Sequence, residues 1–303
     1  MSSPPTPPNY EARLRDRLLG WTDNETYGHA AIIRAYTGRR TRIIGHLQHG
    51  WNPGTGWTLL GRELIHRRSV RHVWGERQKE ASKRVGIRVR SVVGAPWLYG
   101  PWSGQLQRSV NGPSILFPMH GTGAHPVEYS HVQLAKEFRS SSAGELLVCL
   151  HRNEFAQPQI LQIYQELELP VTTMGDPFAP DYLHRLAQLL CSASGIATNR
   201  VATVAFYAGS LGLPVQMLGA SAHLTGETPE ATTTLEAIHT EIALHGTEIP
   251  WIRDMAMREL GAEFKRHPEE LAEQLGMSGG FRAAYVPRLL ASHLGRAVRR
   301  LGG

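Results

Sequence analysis

Three apolar runs in this chain end in histidine, and each ending could do proton or anion chemistry. IIGHLQHGW (43–51) closes with His46, Gln48 and His49, and Gly50 opens the loop that follows. ILFPMHGTGAHP (115–126) places His120, Gly121, Thr122 and Gly123 directly after an apolar run, and LLVCLHRNEF (146–155) does the same with His151 and Arg152. An imidazole has a reference pKa near 6.5, so it suits general-base work at neutral pH. Imidazole and guanidinium groups beside a glycine-rich turn also suit an anionic ligand. His49 is the candidate base. Upstream, ETYGHAAII (25–33) puts Tyr27, Gly28 and His29 at the expected start of a helix facing the same cleft, with His29 as a second catalytic candidate.

A fourth stretch, GIATNRVATVAFYAGSLGLPVQML (195–218), reads as strand, turn, helix, strand. The strand is expected to end near Ala197 and the helix to begin at Thr198 and Asn199. Thr198, Asn199 and Thr203 would then offer hydroxyl, amide and free backbone N–H donors to an anion at a helix N-terminus. An ordinary helix cap with no ligand accounts for the same residues. No metal site is expected. The chain has 15 histidines, yet no H-E-x-x-H, no zinc-like Cys/His spacing and no D-x-D at a strand end occurs. GMSGG around Ser278 follows a helical stretch rather than a strand, so it lacks the context of a nucleophile elbow.

The elements that must position these residues alternate. Short runs rich in Val, Ile, Leu or Thr fall at 42–48, 70–74, 89–94, 114–120, 145–151, 169–175, 195–198 and 213–219, apolar throughout as buried parallel strands are. Helical patterns are expected at 10–20, 27–37, 76–85, 128–139, 157–167, 180–191 and 200–211. Strand alternating with helix predicts an α/β fold with parallel sheets. The aperiodic Gly/Pro/Trp segment 97–113 is the expected domain boundary, and Pro229, Pro250 and Pro268 mark helix starts or breaks in an all-helical tail. In open α/β sheets ligands bind beyond the carboxyl ends of strands, so the endings at 120–123, 151–152 and 198–203 would share one crevice.

The chain of 303 residues is large enough for about two domains. Two cysteines, Cys149 and Cys191, sit in apolar runs and are expected as buried thiols rather than a disulfide framework. No stretch of 18 apolar residues occurs, and MSSPPTPPN at the start reads as a flexible arm rather than a signal peptide, which predicts a cytoplasmic protein. The excess of 32 Lys and Arg over 26 acidic residues favours phosphate-bearing ligands. The closing segment YVPRLLASHLGRAVRRLGG forms a basic amphipathic stripe, suited to packing across a domain junction or to peripheral contact with a membrane face. No aromatic platform interleaves the basic residues, so nucleic acid is not an expected partner.

Taken together, LQHGW (47–51), HVWGERQKEASKRVGI…VVGAP (72–96), LLVCLHRNE (146–154) and TNRVATVAFYAGSLGLPV (198–215) resemble bacterial two-Rossmann glycosyltransferases of capsular and cell-wall polysaccharide synthesis. The likeness lies with the sialyltransferase-like and glycerophosphotransferase-like branches. It covers roughly residues 42–220. His151 matches the family's phosphate-binding histidine, whereas Arg152 replaces the proline expected after it, and Cys149 and Leu150 replace the basic residue and proline before it. The resemblance implies an arm at 1–9, an acceptor domain at 10–110, a donor-nucleotide domain at 111–228 and a helical tail at 229–303. It implies transfer of a sugar from a CMP- or UDP-type donor to a hydroxyl acceptor (a glycan, a lipid-linked glycan or a small natural product), without a metal and with inversion. His49 and His29 would be catalytic. His120, Gly121, Thr122, His151, Arg152, Thr198, Asn199 and Thr203 would bind the donor, and no cofactor beyond the nucleotide-sugar is implied. A sugar-nucleotide epimerase of the same fold and a non-catalytic nucleotide or polyanion binder are the competing readings.

Overall fold

A computed structural model describes residues 23–53, 71–84, 86–102, 109, 111–121, 127–141, 144–219, 221–224 and 227–278. The expected helix at 10–20, Thr122 and the basic stripe beyond residue 278 lie outside these.

The strands assemble into two parallel sheets. The first holds β1 (His46–Leu47), β2 (Arg71–Val73) and β3 (Val89–Val92) in that order, with α1 (His29–Thr37) before β1 and α2 (Glu76–Arg84) between β2 and β3. The second holds β4 (Ser114–Leu116), β6 (Leu146–Leu150), β7 (Val171–Thr173), β8 (Gly195–Thr198) and β9 (Val215–Met217) in the order β7-β6-β4-β8-β9. All of its pairings are parallel, and Ile115 lies opposite Leu147 on one side and Ile196 on the other. The chain steps outward from β4 through β6 to β7, then returns to β4's other side for β8 and β9. The reversal makes a crevice beyond the carboxyl ends of β4 and β8.

Helices supply the crossovers: α3 (His131–Ser141), α4 (Arg152–Phe155) with α5 (Pro158–Glu166), α6 (Tyr182–Cys191) and α7 (Thr203–Ser210). The sequence patterns for these helices hold, with one displacement. Thr198 and Asn199 do not open a helix: Thr198 is the last residue of β8, and α7 begins only at Thr203. The cap position falls to Ala202, which has no side chain to offer. A small antiparallel pair, β5 (Val127–Glu128) with β10 (His223–Leu224), has no counterpart in the sequence reading. At two residues each it gives no period to detect.

The tail comprises α8 (Pro229–His245), α9 (Ile249–Glu259) and α10 (Pro268–Gln274), each with proline in its first turn. Thr228 caps α8 by accepting from the Ala231 N–H. Gly209 lets α7 lie close to α9; a Cβ there would meet Ala256 and Ile252 at 3.0 Å. Tail residues also hold the first sheet: Ala95 N–H donates to Leu260 O, Ile44 N–H to Leu275 O, and the Thr41 hydroxyl to Met277 O. One apolar cluster runs through both sheets and the tail, including Ile33, Trp74, Phe206 and Ile252. Trp97 and Trp102, in the segment read as a boundary, are buried in it, and Trp97 stacks on Tyr207 at 4.3 Å and 12°. Cys149 and Cys191 are buried and form no disulfide, and burial pushes the Cys149 thiol up to about 12. Among the described residues, no helix is long and apolar enough to cross a membrane.

Candidate functional site

The carboxyl end of β1 is fixed from several sides. Asn24 lies along its edge, its Nδ2 donating to Gly45 O and its Oδ1 accepting from Leu47 N–H, both at 2.8 Å. Gln48 is buried and occupied twice, with Trp74 N–H donating to its Oε1 and its Nε2 donating to Gly50 O. Trp51 anchors the far side of the loop. Its N–H donates to Thr203 Oγ1 at 2.9 Å, and its Nε1–H donates to Glu259 Oε2 at 2.7 Å. Glu259 is itself buried and paired with Arg77 at 2.5 Å. His49 lies between these anchors and is exposed.

Tyr27 and His29 back His49. The Tyr27 ring lies 4.8 Å from the His49 ring and 4.9 Å from Tyr182. The His29 ring lies 6.3 Å from His49 and 6.4 Å from Trp74. His29 opens α1, as its sequence suggests, but it is 1% exposed and therefore stands behind His49 rather than on open surface. Burial, with His49 nearby, pushes its pKa down to about 3, so it is neutral throughout the physiological range. Among the described residues, its Nε2 has no hydrogen-bond partner.

On the second sheet, His120 follows β4 and His151 follows β6, and their rings stack at 4.0 Å and 6°. Burial pushes His120 down to about 4. His151 and His49 add to the depression, and Glu154 opposes it. His49 lies near enough to add to the depression of His120, which puts the loop after β1 in the neighbourhood of the loops after β4 and β6. The Trp51–Thr203 bond brings the start of α7 to the same place. The endings after β4, β6 and β8 are linked by the His120–His151 stack and the Met119–Asn199 bond, and the loop after β1 reaches Thr203.

Asn199 spans the β4–β8 crevice. Its Oδ1 accepts from Met119 N–H at 2.8 Å, while its buried Nδ2 has no hydrogen-bond partner among the described residues. Thr198 is fully buried, and its hydroxyl is spent locally on Arg200 O. Thr203 Oγ1 accepts the Trp51 bond, and its own hydroxyl proton is not committed by that bond. Gly121 follows His120 in the loop at partial exposure. Arg152 points to the surface, where it pairs with Asp176 at 3.1 Å. Its guanidinium is therefore shared with a carboxylate rather than aimed at the stacked imidazoles.

Sequence reasoning missed two contributors. Glu154 stands one helical turn from His151, with Oε2 3.3 Å from Nδ1. Burial opposes its ionisation, but the contact with His151 and the charges of both histidines carry its pKa below the ordinary carboxylate value. The spacing of three residues after a strand-end histidine was the available signal. Arg200, beside Asn199, is buried and pairs with Glu227 and the Ala222 carbonyl. Nothing in the sequence tied it to a residue 27 positions away. Among the described residues, no group of three or more His, Cys, Asp or Glu is placed to hold a metal ion.

No protein-family model and no curated protein sequence matches the chain. Among solved structures, the chain is similar to Os79 from O. sativa in complex with UDP, at 13% identity and a TM-score of 0.40, covering 88% of this chain and 69% of that one. It is also similar to Phytolacca americana UGT2 complexed with UDP-2fluoro-glucose and pterostilbene, at 14% identity and a TM-score of 0.35, covering 73% and 57%. The spinosyn rhamnosyltransferase SpnG with spinosyn aglycone matches at 13% identity and a TM-score of 0.26, covering 72% and 67%. Against another Os79 structure the chain spans 55% of the other's length. At these identities and scores no residue of this chain takes a role from them.

Proposed function

We propose that the chain is a glycosyltransferase that moves a sugar from a nucleotide-activated donor, of the CMP or UDP kind, to a hydroxyl acceptor. One observation carries this reading: His49 stands exposed in the loop after β1, whose Trp51 N–H donates to Thr203 at the start of α7, while His120 and His151 stack in the loops after β4 and β6. His49 takes the acceptor's hydroxyl proton as the acceptor oxygen bonds to the sugar carbon. The bond from that carbon to the donor phosphate oxygen breaks, and its electron pair leaves with the phosphate. His120, His151 and the N–H groups opening α7 receive the developing charge, a role in which fixed donors are most effective. These groups do the work a cation would otherwise do, so the reaction is metal-independent. Attack from the face opposite the leaving phosphate inverts the sugar carbon. His29, buried behind His49, orients it and does not touch the acceptor. The acceptor is a glycan, a lipid-linked glycan or a small natural product.

The test has two stages. Thermal-shift measurements with CMP, CDP, UDP, GDP and dTDP should give one clear rise in midpoint, since a ligand at about 100 times its Kd adds about 2.7 kcal/mol. His49→Ala should retain that shift while losing transfer of the matching sugar by about 10²–10⁴-fold, the range for a general base. Absence of a shift with every nucleotide would overturn the proposal, and an unchanged rate in His49→Ala would remove His49 from the chemistry.

A further inference from the structure

β1 is two residues long, and among the described residues it ends the strand order of the first sheet, paired on one side with β2. His46 and Leu47 are buried, so backbone groups left open on the other side would find little water to bond. Asn24 closes that side. In a parallel ladder, a residue opposite His46 would donate its N–H to Gly45 O and accept from Leu47 N–H with its own C=O. Asn24 makes both of these bonds with its side-chain amide, each at 2.8 Å, and is itself 2% exposed. One carboxamide thus occupies the rung that a neighbouring strand would fill. Neither bond is a local turn or cap, since the partners lie 21 and 23 positions along the chain.

We propose that Asn24 is a positioning residue for His49: its amide stands in for a neighbouring strand, and in doing so it holds the base and the ring behind the base in one frame. The inference rests on the glycosyltransferase reading and adds to it a residue that sets the geometry of the base. Asn24 belongs to the short 3₁₀ turn Asp23–Gly28, three residues before Tyr27, whose ring lies 4.8 Å from His49. Leu47, which it holds, stands two positions before His49. Onward from Leu47, Gln48 N–H donates to His72 O at 2.8 Å, and the Gln48 side chain is tied to Trp74 and Gly50. A shift of Leu47 therefore reaches His49 with little slack. The neighbours of Asn24 in its turn are engaged elsewhere: Glu25 pairs with Arg34 at 2.8 Å, and Tyr27 N–H donates to Pro177 O at 2.5 Å. Asn24 supplies the tie from this turn to β1. A base displaced by about 1 Å loses rate while a ligand bound elsewhere keeps its affinity, which separates positioning from binding.

Amide hydrogen exchange on the full chain tests the bond itself. In Asn24→Ala, the Leu47 N–H should lose about tenfold or more in protection, the equivalent of one hydrogen bond. The His49 imidazole resonances should move in the same variant, and kcat for sugar transfer should fall by about 10–100-fold while nucleotide affinity stays within about twofold. Asn24→Asp is the conservative change. Its carboxylate accepts from Leu47 N–H but has no proton for Gly45 O, and once protonated it can make both bonds. Burial beside a carbonyl raises that carboxyl above its unfolded value of about 3.9, so the deficit against the parent chain, in stability and in kcat, should be larger at pH 7.5 than at pH 5.5. This variant serves if Asn24→Ala does not fold. Unchanged Leu47 protection would overturn the proposal, as would lost protection with the His49 resonances and kcat both unmoved. A parent chain that transfers no sugar would overturn the glycosyltransferase reading alone, and the exchange and the His49 resonances would still decide whether Asn24 holds His49.

Discussion

Tyr27 sits at φ 58°, ψ 15°, in the left-handed region that a bulky side chain rarely adopts, and it does so against His49. Such a conformation costs roughly 1–2 kcal/mol and persists only where surroundings impose it. Here the Tyr27 N–H donates to Pro177 O at 2.5 Å, and its ring is held between His49 and Tyr182. Gly28 follows at φ 73°, and a Cβ on it would lie 2.6 Å from Pro180 O. Two consecutive left-handed residues thus turn the chain so that Tyr27 and His29 both back the candidate base. Gly28→Ala adds a methyl group that meets backbone and forces a conformation alanine disfavours. It should cost at least about 2 kcal/mol in urea unfolding, the left-handed penalty plus the clash. A loss below about 0.5 kcal/mol would mean that this turn is not held as described. None of this was legible in ETYGHAAII beyond the helix start, because the strain is imposed by residues 177–182, some 150 positions away.

At the scale of elements, the loop after β1 is the part that carries His49 to the second sheet, and its ties are polar rather than apolar. Thr203 is the informative one. Its sequence position suggested a donor-binding hydroxyl at a helix start, and its oxygen instead accepts from Trp51 N–H. Thr203→Val preserves shape and orphans that donor, which should destabilise the fold by about 1–3 kcal/mol. With His49 no longer fixed, kcat should fall more than nucleotide affinity does. The reverse pattern, weaker nucleotide binding at unchanged kcat, would make Thr203 a donor ligand rather than a loop tie. The displaced start of α7 has a related cause. Asn199 has the chemistry of a helix cap, but Met119 N–H, on the neighbouring strand's ending, claims its carbonyl oxygen. A cap residue and a residue that bridges two strand ends look alike until the second strand is in place. Strands such as LLVCL were legible because a parallel strand buried on both faces is apolar throughout, whereas Glu128 and His223 in the β5–β10 pair carry no such mark.

For the molecule as a whole, the sequence supported two sets of parallel strands but could not say that the loop after β1 is tied to the start of α7. That arrangement depends on bonds of long separation, such as Trp51 to Glu259 and Ile44 to Leu275. The same packing has a consequence for stability. His29 and His72 are both fully buried, and burial pushes them down to about 3 and about 4. His72 is held between Ser91 Oγ at 2.6 Å and Ile44 O at 2.8 Å, with Arg90 and His46 further opposing a charge. In the unfolded chain both return to about 6.5. Below that pH the unfolded state binds protons that the folded state refuses, so the stabilising effect is complete above pH 6.5 and is lost as pH falls toward 4. Each residue contributes about 1.4 kcal/mol per pH unit in that interval, or roughly 3 kcal/mol for the pair between pH 7.5 and 5.5. Glu154 acts only at lower pH, because its depressed carboxyl remains ionised through this range and loses its contribution as pH falls below the ordinary carboxylate value. His120, pushed down to about 4, adds in the same direction, so urea unfolding at pH 7.5 and 5.5 should differ by at least about 3 kcal/mol, a large share of the 5–15 kcal/mol that holds a typical domain together. Equal stability at the two pH values would mean that His29 and His72 accept protons in place, and that the region behind His49 is wet.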